Sequence, residues 1–218
     1  MPGRFCPRWC AVGAFLRTEE IKRPFDAAFA AIGLVLTAPL TLLAALLIRA
    51  TMGRPALFRK KRAGLGGAVF EVYKFRTMRA GSGPDQERLT TLGRFLRASS
   101  IDELPQLWNV LLGEMSLVGP RPLMARYLPL YSPRQMRRHD VRPGITGWTQ
   151  VCGRNSLSWP RKFELDLWYI DHWSPWLDLK IMALTLARLT TAAGISQAGH
   201  ATMEPFGGGA PDSPASHV

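Results

Sequence analysis

Residues 27–48 (AAFAAIGLVLTAPLTLLAALLI) make a run of 22 positions without a charge. At about 1.5 Å per residue, a helix of that length reaches roughly 33 Å, enough to cross a hydrocarbon core of about 30 Å. Pro39 divides the run, because proline lacks the amide donor and clashes with the turn before it. Each half alone reaches about halfway into a bilayer. Farther on the period shortens. Residues 56–62 and 69–76 flank Gly64-Leu65-Gly66-Gly67 and predict a β-hairpin with a glycine turn. On its second strand Phe70, Val72, Lys74 and Arg76 share one face, since side chains alternate. Residues 80–87 (AGSGPDQE) predict a polar loop. Pro105 fits only the first turn of a helix, which places a helix start near Asp102. Residues 163–169 and 177–189 predict two more helices, the second nearly apolar but interrupted by Lys180 and Arg188. Residues 1–20 show no clear period and read as a loose or interfacial extension. The Gly/Pro/Ser tail at 207–218 reads as disordered.

Charge sharpens this picture. Lys and Arg outnumber Asp and Glu by 28 to 16, which points to a polyanionic partner: nucleic acid, an anionic membrane face or a phosphorylated substrate. Cations stand on both sides of the apolar run, at Arg17, Lys22 and Arg23 before it and at Arg49, Arg54 and Arg59 after it. Because cations stay on the cytoplasmic side, a chain basic at both ends is best served by entering and leaving on one face, with Pro39 at the bend. A straight span with the N-terminus outside is the alternative that these residues leave open. Cys6, Cys10 and Cys152 make no zinc spacing and no even disulfide framework, and read as reduced thiols. Of seven tryptophans, six fall between Trp108 and Trp176, as suits a membrane interface or an ordinary core.

The candidate chemistry centres on LRASSIDELPQ, residues 96–106. Adjacent carboxylates at a helix start are commonly no more than caps, because the first amides are unpaired and the dipole end is positive. The surroundings argue for more. Lys74 and Arg76 end an otherwise apolar strand face, which is odd unless an anion sits there. Arg121 lies between Pro120 and Pro122 on a backbone with little freedom, so its guanidinium is aimed at low entropic cost, and RPGITG (142–147) is a second stiffened loop.

Seven motifs then occur in one order: IKRPFD, the apolar run with its central proline, VYKFRTM, LGRFLRASSIDELPQLWNVL, GEMSLVGPRP, RPGITGWTQVCGRN and FELDLWYIDHWSPWLDLKI, followed by GHATMEPF. Together they closely resemble the bacterial sugar transferases, or monotopic phosphoglycosyl transferases, over residues 21–206. The resemblance implies an enzyme that transfers a sugar-1-phosphate from a UDP-sugar to polyprenyl (undecaprenyl) phosphate, with Mg²⁺ as cofactor. It implies UMP and a polyprenyl-diphosphate-sugar as products, the latter starting a surface glycan or glycoconjugate. Asp102 would be the nucleophile, forming an aspartyl-phosphosugar and sharing the metal, with Glu103 as the second member of the catalytic pair. Arg97, Lys74, Arg121, Arg62 and Arg76 would bind phosphate, and Pro39 would bend a re-entrant helix dipping into one leaflet of the inner membrane. The partners implied are the UDP-sugar, the polyprenyl phosphate and membrane lipids; no nucleic acid is expected, and self-association is compatible with the reading. Lys60 stands where members commonly carry Gln, Ala38-Pro39 where some carry Ser-Pro, and Cys152 where Asn is usual.

The chain thus reads as α+β: an extension (1–20), a re-entrant membrane helix (21–50), a helix-rich cytoplasmic catalytic domain with a β-hairpin (51–206) and a tail (207–218). Two other readings use the same residues. One is a basic membrane-surface or nucleic-acid-binding protein without catalysis, which would leave the proline-stiffened loops without a purpose. The other is a Mg²⁺-dependent lipid-phosphate hydrolase using the same aspartate.

Overall fold

The computed structural model describes residues 8–153, 156–191 and 206–207. The first helix, α1 (Arg8–Met52), contains the whole apolar run, with Pro24 and Pro39 inside it. It starts earlier than the sequence pattern predicts, because extending an existing helix adds one hydrogen bond per residue fixed and needs no amphipathic period. It is also one helix, not two separated by a break. Around Pro39 the Thr37 hydroxyl donates to the Gly33 carbonyl at 2.6 Å and the Thr41 hydroxyl to the Ala38 carbonyl at 2.9 Å. These are the two hydroxyls nearest the proline.

From Asp26 to Ile48 one stripe of α1 faces the rest of the protein. Asp26, Ala30, Ala44 and Ile48 are buried, with Gly33, Thr37 and Thr41 partly covered between them, a helical spacing throughout. The IKRPFD segment fixes the near end. Lys22 donates to Asp178 and to the Val118 carbonyl, each at 2.6 Å, and the Leu117 amide donates to Asp26 at 3.1 Å. The opposite face exposes Phe25, Phe29, Ile32, Val35, Leu36, Leu43 and Leu46. Among the described residues α1 is the one helix long and apolar enough to cross a membrane.

Strands β1 (Leu57–Ala63) and β2 (Val69–Phe75) form the expected antiparallel hairpin, with Lys60 opposite Val72. Gly66 and Gly67 take positive φ in the turn (61° and 81°), where a Cβ would be strained. The polar loop carries a single turn, α2 (Asp85–Arg88), before α3 (Thr91–Ala98), whose N-cap Thr90 accepts from the Gly93 amide. A Cβ at Gly93 would lie 1.9 Å from the Thr77 carbonyl oxygen, so glycine is what lets α3 press against the segment after β2.

The next element corrects the sequence expectation. Residues Ile101–Glu103 form a 3₁₀ turn, and the helix proper, α4 (Gln106–Leu112), starts after Pro105, which is its N-cap. Ser100 immediately before the turn has φ 56°, a left-handed conformation that reverses the chain between α3 and the carboxylates. A parallel pair that the pattern did not reveal, β3 (Ser116–Val118) and β4 (Gly144–Thr146), lies between two stiff loops, where Gly119 and Gly144 approach too closely for any Cβ. Single-turn α5 (Pro133–Met136) and α6 (Trp148–Cys152) then lead to α7 (Trp159–Asp171) and α8 (Pro175–Thr191), covering both predicted helices. Phe206 packs against Tyr127, Tyr131, Trp159 and Phe163. The GRN motif at Arg154 and Asn155, residues 1–7 and the tail from 208 lie outside the described residues, as do Cys6 and most of GHATMEPF.

Candidate active site

Asn109 ties α4, which follows directly on the carboxylate turn, to β2, which carries the first cation. Fully buried on α4, it donates to the Glu71 carbonyl at 2.7 Å and accepts from the Tyr73 amide at 3.1 Å. Lys74, one residue on, is thereby set against the 3₁₀ turn. Its ammonium reaches Glu103 Oε1 at 2.5 Å, and Arg121, held by the Pro120–Pro122 segment, donates to the same oxygen at 2.6 Å. Burial by itself pushes the Glu103 carboxyl up, but Arg121 and Lys74, with their hydrogen bonds, hold it well below the usual carboxylate range. Glu103 is therefore ionised at neutral pH, and its charge holds two cations in place.

Asp102 has a different environment. It is 9% exposed, and among the described residues its carboxylate has no hydrogen-bond or ion-pair partner. Burial first, and the Glu103 charge second, raise its pKa to about 6, against the pull of Lys74, Arg121 and Arg97. A carboxylate at a helix start is ordinarily favoured in its charged form, because the first amides are unpaired and the dipole end is positive. The structure reverses the direction, because Asp102 lies in a turn before the helix and the two nearest cations bond to its neighbour. With a pKa near 6 it is still mostly ionised at neutral pH.

The two carboxylates lie on the wall of a cavity of about 1080 Å³. Lys74, Arg76, Arg97 and Arg121 line it, with Thr37 and Leu40 of α1 on one side and α6 and α7 residues on another. Arg97 is oriented by Thr77, whose hydroxyl accepts from its Nε at 3.1 Å. Two of the seven predicted polar residues are placed otherwise. Arg76 is engaged at the end of α1, where its guanidinium donates to the carbonyls of Met52, Gly53 and Arg54. It is a cation at a helix C-terminus, a favourable position in its own right. Arg62 is not among the cavity-lining residues; its backbone forms an isolated antiparallel bridge with Met124, and burial, then the Arg121 charge, lower its pKa.

A buried set that shares the cavity wall with Arg121 escaped sequence reasoning. Arg138 donates to Asp166 Oδ2 at 2.8 Å and to the Arg121 carbonyl at 2.8 Å, while Thr149 donates to Asp166 Oδ1 at 2.6 Å. Both charges are almost fully buried. A signal existed: Asp166 occupies a core position in FELDLWY, three residues after Phe163, where an unpaired carboxylate would be very costly. Lys162 also lines the cavity, and burial together with the Arg121 charge lowers its pKa to about 8.

Among the described residues no group of three or more His, Cys, Asp or Glu is arranged to hold a metal ion. That does not disfavour Mg²⁺, which is commonly held by one or two carboxylates, substrate phosphates and water. The unpartnered Asp102 carboxylate is a donor of that kind, whereas Glu103 is already engaged by two cations.

The family model described as bacterial sugar transferase matches residues 17–192. A Bacillus subtilis (strain 168) protein named uncharacterized sugar transferase EpsL is 52% identical over 194 residues, covering 86% of this chain and 96% of that protein. The UDP-glucose:undecaprenyl-phosphate glucose-1-phosphate transferase of Caulobacter vibrioides is 46% identical, over 78% of this chain and 70% of that protein. The Escherichia coli (strain K12) protein of the same name is 39% identical over 76% of this chain, which spans 39% of its length.

Proposed function

The chain belongs to the bacterial sugar transferase family, and from that premise we propose that it transfers a sugar-1-phosphate from a UDP-sugar to undecaprenyl phosphate, releasing UMP. The observation that carries the reading is the division of labour in the pair: a buried, unpartnered Asp102 beside a Glu103 that holds Lys74 and Arg121 at the cavity wall. Covalent transfer through an aspartate divides one displacement between bulky anions into two. In the first step an Asp102 oxygen attacks the β-phosphorus of the UDP-sugar, and the bond to the bridging oxygen breaks to release UMP. In the second, a phosphate oxygen of the lipid attacks the same phosphorus and Asp102 departs as carboxylate. Neither step requires a side chain to take a proton.

The rest of the site offsets repulsion. Two unit charges 4 Å apart interact by about 4 kcal/mol at an effective dielectric of 20, so an anion attacking an anion needs cations already in position. Lys74, Arg121 and Arg97 supply them. Glu103 is a positioning residue here, since its oxygen is occupied by both cations. Mg²⁺, held by Asp102, would neutralise charge on the diphosphate. Arg76 supports the end of α1.

Membrane association follows from α1, and the finer reading is a re-entrant helix bent at Pro39 with the catalytic domain on the cytoplasmic face. Its support is the continuous stripe from Lys22 to Met52 in contact with the domain. A helix crossing the bilayer would have to leave the polar domain behind at one end. Product formation beginning a surface glycan belongs to the same reading. The test is UMP release from a panel of UDP-sugars, in detergent, with and without undecaprenyl phosphate. Dependence of UMP release on the lipid supports a transferase; no UMP release, with inorganic phosphate liberated from undecaprenyl phosphate, would favour the lipid-phosphate hydrolase.

A further inference from the structure

The cavity wall holds a polar side chain that the catalytic scheme leaves unused. Gln150 on α6 is 8% exposed, and among the described residues neither its amide oxygen nor its amide nitrogen has a hydrogen-bond partner. It lines the same cavity as Asp102 and Arg121. Its neighbours are committed elsewhere: Thr149 is bonded to Asp166, and Thr146 to Thr185. Position 147 adds no side chain, and a Cβ there would stand 2.8 Å from Gln150 Oε1 and 2.1 Å from the Gly119 carbonyl oxygen. Glycine keeps that space open for the amide.

A buried amide with both polar ends unpaired carries its full desolvation cost, and a leucine or methionine would fill the space without it. Such a cost is tolerated at functional sites, where the partner arrives with the ligand. We propose that Gln150 reads the uncharged part of the nucleotide-sugar, pairing its C=O and N–H with a neighbouring donor and acceptor, either the imide edge of uracil or two hydroxyls of the sugar. This rests on the transferase reading above. An amide suits either group, because it offers one acceptor and one donor side by side. Cations can hold the diphosphate of any nucleotide-sugar; a neutral amide distinguishes what is attached to it.

The experiment compares Gln150→Leu and Gln150→Asn with wild type by three readouts: UMP binding by titration calorimetry, KM for the UDP-sugar that wild type turns over fastest, and Tm. Both variants should weaken UMP binding or raise KM about tenfold or more, the scale of losing two neutral hydrogen bonds. Tm of the leucine variant should be unchanged or higher, because two unsatisfied polar atoms are removed. Weaker UMP binding assigns the amide to uracil, whereas wild-type UMP binding with a raised KM assigns it to the sugar. Wild-type values of both in both variants overturn the proposal, and so does a loss of affinity that tracks a fall in Tm. A wild type that binds UMP through Gln150 but releases none from any UDP-sugar would remove the transferase reading and leave this assignment standing.

Discussion

Asp102 and Glu103 are adjacent in sequence and opposite in electrostatic fate, so their substitutions should separate. Asp102→Asn should abolish turnover and leave membrane association intact. It should also raise Tm at pH 7.5. The sign follows from linkage: the folded carboxyl has a pKa of about 6 against about 3.9 unfolded, so ionisation between those values destabilises the fold, and removing the charge relieves on the order of 1–3 kcal/mol. For the same reason kcat/KM should fall as pH drops through about 6, where the nucleophile becomes protonated. Glu103→Gln should reduce kcat/KM on the order of 10²-fold, because Lys74 and Arg121 lose their common anchor. Its acid limb should move to lower pH, since one negative neighbour of Asp102 is gone. A limb that stays in place would show that Glu103 does not set the ionisation of Asp102.

At the scale of elements, the hairpin and the two C-terminal helices were legible because each carries its own period and punctuation. The glycine turn at 64–67 and the apolar spacing of FELDLWY needed no tertiary information. The Asp102 turn was less so: Pro105 pointed to a helix start near Asp102, four residues before α4 begins at Gln106, and the positive φ at Ser100 had no signal in an ordinary serine. The β3–β4 pair was illegible, since each strand has three residues and exists through close glycine contacts rather than alternation. Arg76 illustrates the same limit. Alternation puts it on the face of Lys74, but β2 ends at Phe75, and its commitment to the end of α1 arises between segments distant in sequence. Arg76→Ala should therefore lower Tm more than it lowers kcat/KM. Arg97→Ala should lower kcat/KM on the order of 10²-fold with little change in Tm, and Arg121→Ala should lower it as much while also lowering Tm, because Glu103 loses one of its two cations. UMP-release kinetics and thermal melts on the three variants separate these patterns, and equal behaviour would contradict the division.

At the scale of the whole molecule, the basic balance and the apolar run were visible from the start, but not how the run sits. The structure keeps one face of α1 against the catalytic domain and leaves the other apolar and exposed, a surface suited to lipid. In a background lacking Cys6, Cys10 and Cys152, single cysteines at Glu20 and Ser82 should both be shielded from an impermeant thiol reagent outside intact cells and react once the inner membrane is opened. External labelling at Glu20 alone would show a straight span. The central claim is chemical, that sugar phosphate passes through Asp102, and intact-mass analysis of the enzyme incubated with its UDP-sugar alone tests it most directly. Wild type should gain the mass of one sugar-phosphate, located at Asp102, a gain absent in Asp102→Asn and discharged by undecaprenyl phosphate. An active wild type that never carries the added mass under single-turnover conditions would contradict that claim.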